Sequence, residues 1–256
     1  MNKLSAVIIT FNEEQYLGRC LKSLQKIADE IVVVDSFSTD NTQRIAKSYG
    51  AKIIEQKFLG YVEQKNFAIN QAENDFVISL DGDEALSDEL INSIKKVKTA
   101  FDYKVYSFNR LNNYCGKWIR HSGWYPDKKI RLFKKGKAVW KGTNPHDHLE
   151  PINSATVKHL KGDLLHWPYD TYREHYLKIN DFSSISAKAM RDKGRKAGLS
   201  DLLLRPPWKF LRNYLLKGGY KDGVDGLAIC FSSGVATFLR YFKLYKLQNQ
   251  QDEDRL

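Results

Sequence analysis

Phe76-Val77-Ile78-Ser79-Leu80 is an apolar run that stops abruptly in Asp81-Gly82-Asp83-Glu84. Short runs rich in β-branched and large apolar residues form buried strands, and the glycine lets the backbone turn at the end. Asp81 and Asp83, two positions apart in near-extended chain, point toward one locus, where two unpaired negative charges repel unless a cation lies between them. A hard divalent ion, Mg²⁺ or Mn²⁺, held by one or two carboxylates and otherwise by phosphate oxygens suits that locus. An isolated Asp-x-Asp is more often a solvated turn, so its chemistry depends on what other strand ends bring to it.

Strands and helices alternate through the first hundred residues. Leu4–Thr10 is apolar and β-rich; residues 14–25 place Leu17, Leu21 and Leu24 at helical spacing; residues 30–34 form a second strand ending at Asp35. Ser38 or Thr39 caps a helix running to Tyr49, Gly50 closes it, and Lys52–Glu55 is a third, shorter strand. A polar helix over 62–74 leads into the Phe76 strand, and Ser87-Asp88-Glu89 starts the next helix with acids in its positive first turn. This pattern predicts an open, mostly parallel α/β sheet, in which ligands bind beyond the carboxyl ends of the strands. The ends Thr10-Phe11-Asn12-Glu13 and Asp35-Ser36-Phe37-Ser38 should therefore share an edge with Asp81-Gly82-Asp83. The first two suit a base and ribose, with Asp35 accepting from a ring N–H or sugar hydroxyl; the third suits a metal-bound diphosphate. No Gly-x-Gly-x-x-Gly follows the first strand and no Gly-Lys-Ser/Thr loop occurs, which disfavours dinucleotide oxidoreductases and P-loop hydrolases.

The chain of 256 residues is 42% hydrophobic, enough for a full core, so one domain with a smaller appendage is expected. Cys20, Cys115 and Cys230 lie too far apart for a disulfide framework or a Cys-x-x-Cys zinc site, which favours a reducing, cytoplasmic setting. The apolar run at 4–11 is too short for a membrane span and is followed by acids rather than a signal-peptide cleavage site. The net charge of +11 is uneven: residues 193–246 hold eleven Lys or Arg against three acids, and 128–141 hold seven basic residues and no acid. Such patches attract polyanions: nucleic acid, anionic headgroups or a phosphorylated substrate.

The opening Ser5-Ala6-Val7-Ile8-Ile9-Thr10-Phe11-Asn12-Glu13-Glu14, the strand Ile31-Val32-Val33-Val34-Asp35-Ser36 with Ser38-Thr39-Asp40, and Asp81-Gly82-Asp83-Glu84 resemble the family two glycosyltransferases of the GT-A fold. More narrowly, Gly60-Tyr61 with Gln64-Lys65-Asn66, Gly123-Trp124-Tyr125-Pro126-Asp127 with Arg131-Leu132-Phe133, and Gly162-Asp163-Leu164-Leu165-His166 are similar to the lipopolysaccharide core β-glucosyltransferase group. The resemblance implies an inverting, metal-dependent transfer of a sugar, a hexose on uridine diphosphate, to a hydroxyl of a lipid-linked or phosphorylated glycan. A base must then take the acceptor proton and a cation must meet the departing diphosphate. Carried onto this chain, Asp83 is the first choice of metal ligand with Asp81 reaching the ribose or the metal, His166 completes the metal shell, and Lys65 adds positive charge near the diphosphate. The family usually has a His-Glu pair where this chain has His146-Asp147, so Asp147 is the candidate base, one carbon shorter than usual, with Glu84 as the fallback. Aromatic faces pack on the C–H faces of sugars, and Trp124 and Tyr125, followed by the basic run with Arg131, are the candidate acceptor contacts.

Residues 1–168 are thus expected to form a nucleotide-sugar-binding, catalytic domain and 169–256 a helical extension. In that extension, helices over 172–193 and 227–239 flank a Pro-, Trp- and Lys-bearing stretch that suits contact with acceptor or with the inner face of the cytoplasmic membrane. Two rival readings fit parts of the sequence. A metal-dependent nucleotidyltransferase would need a Gly- and Lys/Arg-rich loop where Phe11-Asn12-Glu13-Glu14 stands, and a basic nucleic-acid-binding protein has only charge in its favour, so no nucleic acid is expected as partner.

Overall fold

The computed structural model describes residues 2–142 and 147–249. In chain order the elements are β1 (Leu4–Thr10), α1 (Leu17–Leu24), β2 (Glu30–Asp35), α2 (Thr42–Ser48), β3 (Lys52–Glu55), α3 (Tyr61–Asn70), β4 (Phe76–Asp81), β5 (Glu84–Leu86) and α4 (Asp88–Lys98). There follow β6 (Val105–Tyr114), β7 (Lys117–Ile119), β8 (Asp127–Lys134), β9 (Ala138–Lys141), β10 (His148–Pro151), β11 (Val157–Tyr169), α5 (Tyr172–Asp192), α6 (Leu199–Leu211) and α7 (Gly223–Asn249). They form two compact units, one of Met1–Leu111 with Asp127–Trp167, the other of Asn112–Pro126 with Pro168–Leu256. A single cut at 168 would assign 112–126 to the first unit; these residues belong instead with the C-terminal helices.

In the first unit the strand order is β3-β2-β1-β4-β8-β6-β11-β5. β1 runs parallel to β2 and β4, and β2 to β3. From β4 onward the sheet turns antiparallel, β4 with β8, β8 with β6, and β11 with β5. The α/β sheet is therefore mixed rather than mostly parallel, because the chain after α4 supplies no crossover helices and antiparallel neighbours need none. Helices cover both faces, which is why β1 and β4 read as continuous apolar runs. Ala6 and Ile8 of β1 and Ile78 and Leu80 of β4 face α1, which buries Leu17, Cys20, Leu21 and Leu24 along one stripe. Val7, Val32 and Val77 face the other way, against Ala68 and Ile69 of α3 and the indole of Trp140.

One local difference from the sequence reading has a direct cause. α2 starts at Thr42 because Ser38 and Thr39 are occupied elsewhere, in bonds to the first strand's loop. Ser87, by contrast, caps α4 as expected, its Oγ accepting from Leu90 N at 3.3 Å. Gly162 on β11 lies so close to α4 that a Cβ there would stand 2.3 Å from Leu90 N, so this crossing requires glycine.

The second unit is a helical extension. α7 packs along both α5 and α6, around Ala187, Tyr241, Leu244 and Leu247, and Tyr114, Ile119 and Ile229 form a smaller core. α6 contains Pro206 and Pro207 and runs on into a π-helical turn at Arg212–Leu216. His175 on α5 is buried among Tyr114, Trp124 and Tyr169, with Nδ1 2.9 Å from the Tyr114 hydroxyl.

Candidate active site

Strand register brings the three tips together. Thr10 lies beside Asp35 and Ile9 beside Asp81, so β1, β2 and β4 end at one edge. The loops after β1 and β2 are then laced to each other. Asn12, at φ +55°, accepts from Thr39 N at 2.9 Å through Oδ1, and its own N–H donates to Ser38 Oγ at 2.9 Å. Glu13 N donates to Thr42 Oγ1 at 2.7 Å and Glu14 N to Asp40 Oδ2 at 3.1 Å. The third tip abuts the first at Gly82, where a Cβ would lie 2.9 Å from Glu13 Cγ.

Asp35 is the hub of the lacing. It is fully buried, and its carboxylate accepts from Thr10 Oγ1 at 2.9 Å, Ser38 N at 2.8 Å, Ser38 Oγ at 2.5 Å and Gln43 Nε2 at 2.9 Å. Two donors on each oxygen fill a carboxylate's accepting capacity. The direct bond to a base or sugar expected of Asp35 is therefore not open in this arrangement, and Thr10 and Ser38 likewise spend their hydroxyls on the loop. Exposed at the two tips, beside Asn12 and Thr39, are two aromatic rings: Phe11 at 59% and Phe37, with φ +60°, at 53%.

Beneath the third tip lies a network of ion pairs. Lys65 of α3 places Nζ 2.8 Å from both Asp81 Oδ1 and Asp147 Oδ2. Arg131 of β8 grips Glu84 with Nη2 at 2.9 Å and Nε at 3.3 Å, and reaches Asp81 at 3.4 Å. Lys65 and Arg131 both lie over the indole of Trp140, at 4.2 and 4.9 Å from its centroid. Burial pushes the Asp81 carboxyl up, but Lys65 and Arg131 outweigh it and hold the group well below the usual carboxylate range. Burial likewise works against the Lys65 ammonium, and Asp81 overcomes it, so this lysine stays charged above its ordinary value.

Glu84 does not fit the part of fallback base. It is fully buried, held by Arg131 and approached by Arg110 at 3.7 Å, and it accepts from Asp81 N at 3.2 Å. A carboxylate so neutralised and enclosed has no route to a substrate hydroxyl. Arg131, expected at the acceptor, is instead buried as the counter-ion of Glu84 and Asp81. Asp147 is partly exposed and paired with Lys65; its neighbour His146 lies outside the described residues. Trp124 and Tyr125 belong to the second unit, where Trp124 packs edge-on against Tyr114 and His175.

Asp83 differs from the other carboxylates of the cluster. Among the described residues it has no Lys or Arg partner, and its Oδ2 lies 3.3 Å from His166 Nε2 on β11, which pairs beside Glu84 of β5. Both side chains are partly exposed. One carboxylate and one imidazole, with no group of three or more His, Cys, Asp or Glu among the described residues placed to hold a metal, suit a divalent ion that takes its other ligands from phosphate and water. They fit a shared, substrate-completed site rather than a closed structural one.

Several participants carried no signal strong enough to single them out. Gln43 bridges Asp35 and Glu55, and Arg110 joins Glu84 to Asp127; both are ordinary polar residues in sequence. Trp140, legible only as one of five tryptophans, proves to be the platform for both cations.

An α/β sheet that delivers carboxylates, a paired lysine and exposed aromatic rings to the carboxyl edge of its parallel strands has the framework of a ligand-binding α/β protein with its site at that edge. The model of glycosyl transferase family 2 matches residues 5–150. A glycosyltransferase of Rickettsia typhi is 34% identical over 96% of this chain and 88% of its own length. The lipopolysaccharide core biosynthesis glycosyltransferase LpsC of Rhizobium meliloti is 30% identical over 95% of this chain and 92% of its own. Among solved structures, residues 1–349 of S. aureus TarS in complex with UDP align over 99% of this chain and 93% of that one, at 16% identity and a TM-score of 0.49. The chain belongs to glycosyl transferase family 2. With the family established, the nucleic-acid-binding and nucleotidyltransferase readings fall away.

Proposed function

We propose that the protein is a cytoplasmic, metal-dependent, inverting hexosyltransferase that moves a sugar from a uridine diphosphate donor to a hydroxyl of an anionic glycan or glycolipid of the lipopolysaccharide core kind. The observation that carries this reading is Asp83: a cluster that neutralises its other carboxylates internally leaves this one beside His166. The name of the Rhizobium relative supports the acceptor class, and the seven basic residues over 128–141 suit a phosphorylated acceptor.

Asp83 and His166 would hold the divalent ion, which when bound supplies positive charge to the departing diphosphate. The exposed rings of Phe11 and Phe37 offer faces for the uracil, while Asn12, Glu13 and Asp35 keep the loops that carry them in place. In the transfer, the acceptor oxygen bonds to the anomeric carbon as the bond from that carbon to the diphosphate oxygen breaks, and the leaving electron pair stays on the diphosphate. Asp147 takes the acceptor proton. To do so it must give up Lys65, whose ammonium lies between Asp81 and Asp147 and can turn toward the diphosphate as negative charge builds there. The test is release of uridine diphosphate from UDP-hexoses with and without Mg²⁺ or Mn²⁺, in the wild type and in Asp83→Ala. Metal-stimulated release that collapses in the variant is expected; unchanged turnover there would remove Asp83 from the reaction.

A further inference from the structure

α6 and α7 carry apolar side chains where a water-facing helix would not. On α6 and the turn after it, Leu203, Leu204, Trp208, Leu211 and Leu215 recur at helical spacing and all are exposed, Trp208 at 59%. On α7, Val224, Leu227, Phe231, Phe238 and Phe242 repeat every three to seven residues along one face and are exposed too, Phe231 at 59%. Between the two helices runs an apolar groove of about 440 Å³, lined by Pro206, Pro207 and Phe210 of one and by Phe231, Val235 and Phe238 of the other. A surface of this extent exceeds what scattered surface leucines explain and marks an interaction site.

Charge says what covers it. Arg205, Lys209, Arg212, Lys217 and Lys221 border the stripe, and the acids of this region are engaged: Asp201 with Arg205, Asp225 with Lys117, and Asp222 turned inward to accept from His121 and Ser122. Burial together with Arg212, Lys217 and Arg240 pulls the Lys209 ammonium below its ordinary pKa, a sign of crowded like charge. A second copy of the chain docked face to face would double that repulsion. A soluble polyanion would relieve the charge and leave the leucines in water. An anionic bilayer answers both, with acyl chains under the stripe and phosphates at its rim.

The stretch Gly219–Gln248 has the length and mean hydropathy, 1.2, of a bilayer span, yet 44% of that window is buried within the protein. On its inner side, Lys243 Nζ donates to Asn180 O and to the hydroxyls of Ser183 and Ser184 on α5. With one side committed to α5, only the outer side is available to lipid. We infer that α6 and α7 lie flat on an anionic membrane surface, the Leu204–Trp208–Phe231 face entering the interface and Lys209, Arg212 and Lys217 meeting lipid phosphates.

The experiment is co-sedimentation of the 256-residue chain with phosphatidylcholine vesicles and with phosphatidylcholine–phosphatidylglycerol vesicles, without nucleotide sugar. The outcome therefore stands or falls separately from the transferase reading. Binding to the anionic vesicles, weakened by salt, is expected, with a loss of about a hundredfold in Lys209→Ser/Arg212→Ser/Lys217→Ser and at least about tenfold in Leu204→Ser/Trp208→Ser/Phe231→Ser. The apolar replacements are at exposed positions, and melting curves verify that both variants are folded. Equal binding to neutral and anionic vesicles, no binding to either, or full binding by both folded variants would overturn the inference. So would a dimer in sedimentation velocity that the apolar variant dissolves, which would give the face to a second copy.

Discussion

Replacing Glu84 with glutamine separates two roles that adjacent acidic residues can play. In the wild type Arg131 is buried and held by Glu84 through two bonds, with Asp81 as a second, longer partner at 3.4 Å. Glu84→Gln removes the nearer charge and leaves the guanidinium with Asp81 alone. Breaking a buried pair costs about 3–5 kcal/mol, and the surviving Asp81 contact argues for the lower end, about 3 kcal/mol. For a chain of this size each kcal/mol lowers the melting temperature by about 2–4 °C, so a fall of roughly 6–12 °C is expected. Asp147→Asn should do the reverse. Its partner Lys65 keeps Asp81 at 2.8 Å, so the stability cost is on the order of 1 kcal/mol, while loss of a general base lowers turnover by about 10²–10⁴-fold. Calorimetric melting of both variants beside single-turnover release of uridine diphosphate and product decides the matter. A Glu84→Gln protein that melts at the wild-type temperature would refute the assignment of Glu84 to the buried network, and an Asp147→Asn protein with wild-type turnover would exclude that residue as base.

Three further outcomes follow from the same geometry. Gly82→Ala should cost about 1–3 kcal/mol and weaken nucleotide binding, because its methyl must displace Glu13 and the loop behind it; urea denaturation and nucleotide titration measure both effects. Chelation by EDTA should abolish transfer and Mn²⁺ should restore it, with His166→Ala raising the Mn²⁺ needed for half-activity at least about tenfold; activity indifferent to EDTA would contradict the metal. Burial holds His175 neutral, its pKa pulled down to about 4, so the unfolded chain binds a proton that the folded chain refuses between that value and the ordinary histidine pKa near 6.5. Stability is then full above about pH 6.5 and falls as pH drops toward 4, by at most about 3 kcal/mol, and His175→Gln should flatten that part of a pH-dependent denaturation series.

The order of strands and helices through α4 was legible because both faces of β1, β2 and β4 are covered, and full burial writes itself into sequence as unbroken apolar runs. The acidic end of β4, the shared edge and the cap at Ser87 follow from the same local rules. The antiparallel half of the sheet was not, since β6, β8 and β11 mix polar and apolar residues without a regular period, and hydrogen-bond partners far apart in the chain choose their pairing.

At the site, the amino-acid types alone determined that carboxylates would gather where parallel strands end. Which of them stays available for chemistry was a matter of distance. Arg131 sits 47 residues from Glu84 and Lys65 sits 82 from Asp147, separations over which no periodicity carries information. Coulomb energy depends on a few ångströms rather than on position in the chain, so only folding could neutralise Asp81 and Glu84, fill Asp35 with donors and leave Asp83 beside His166.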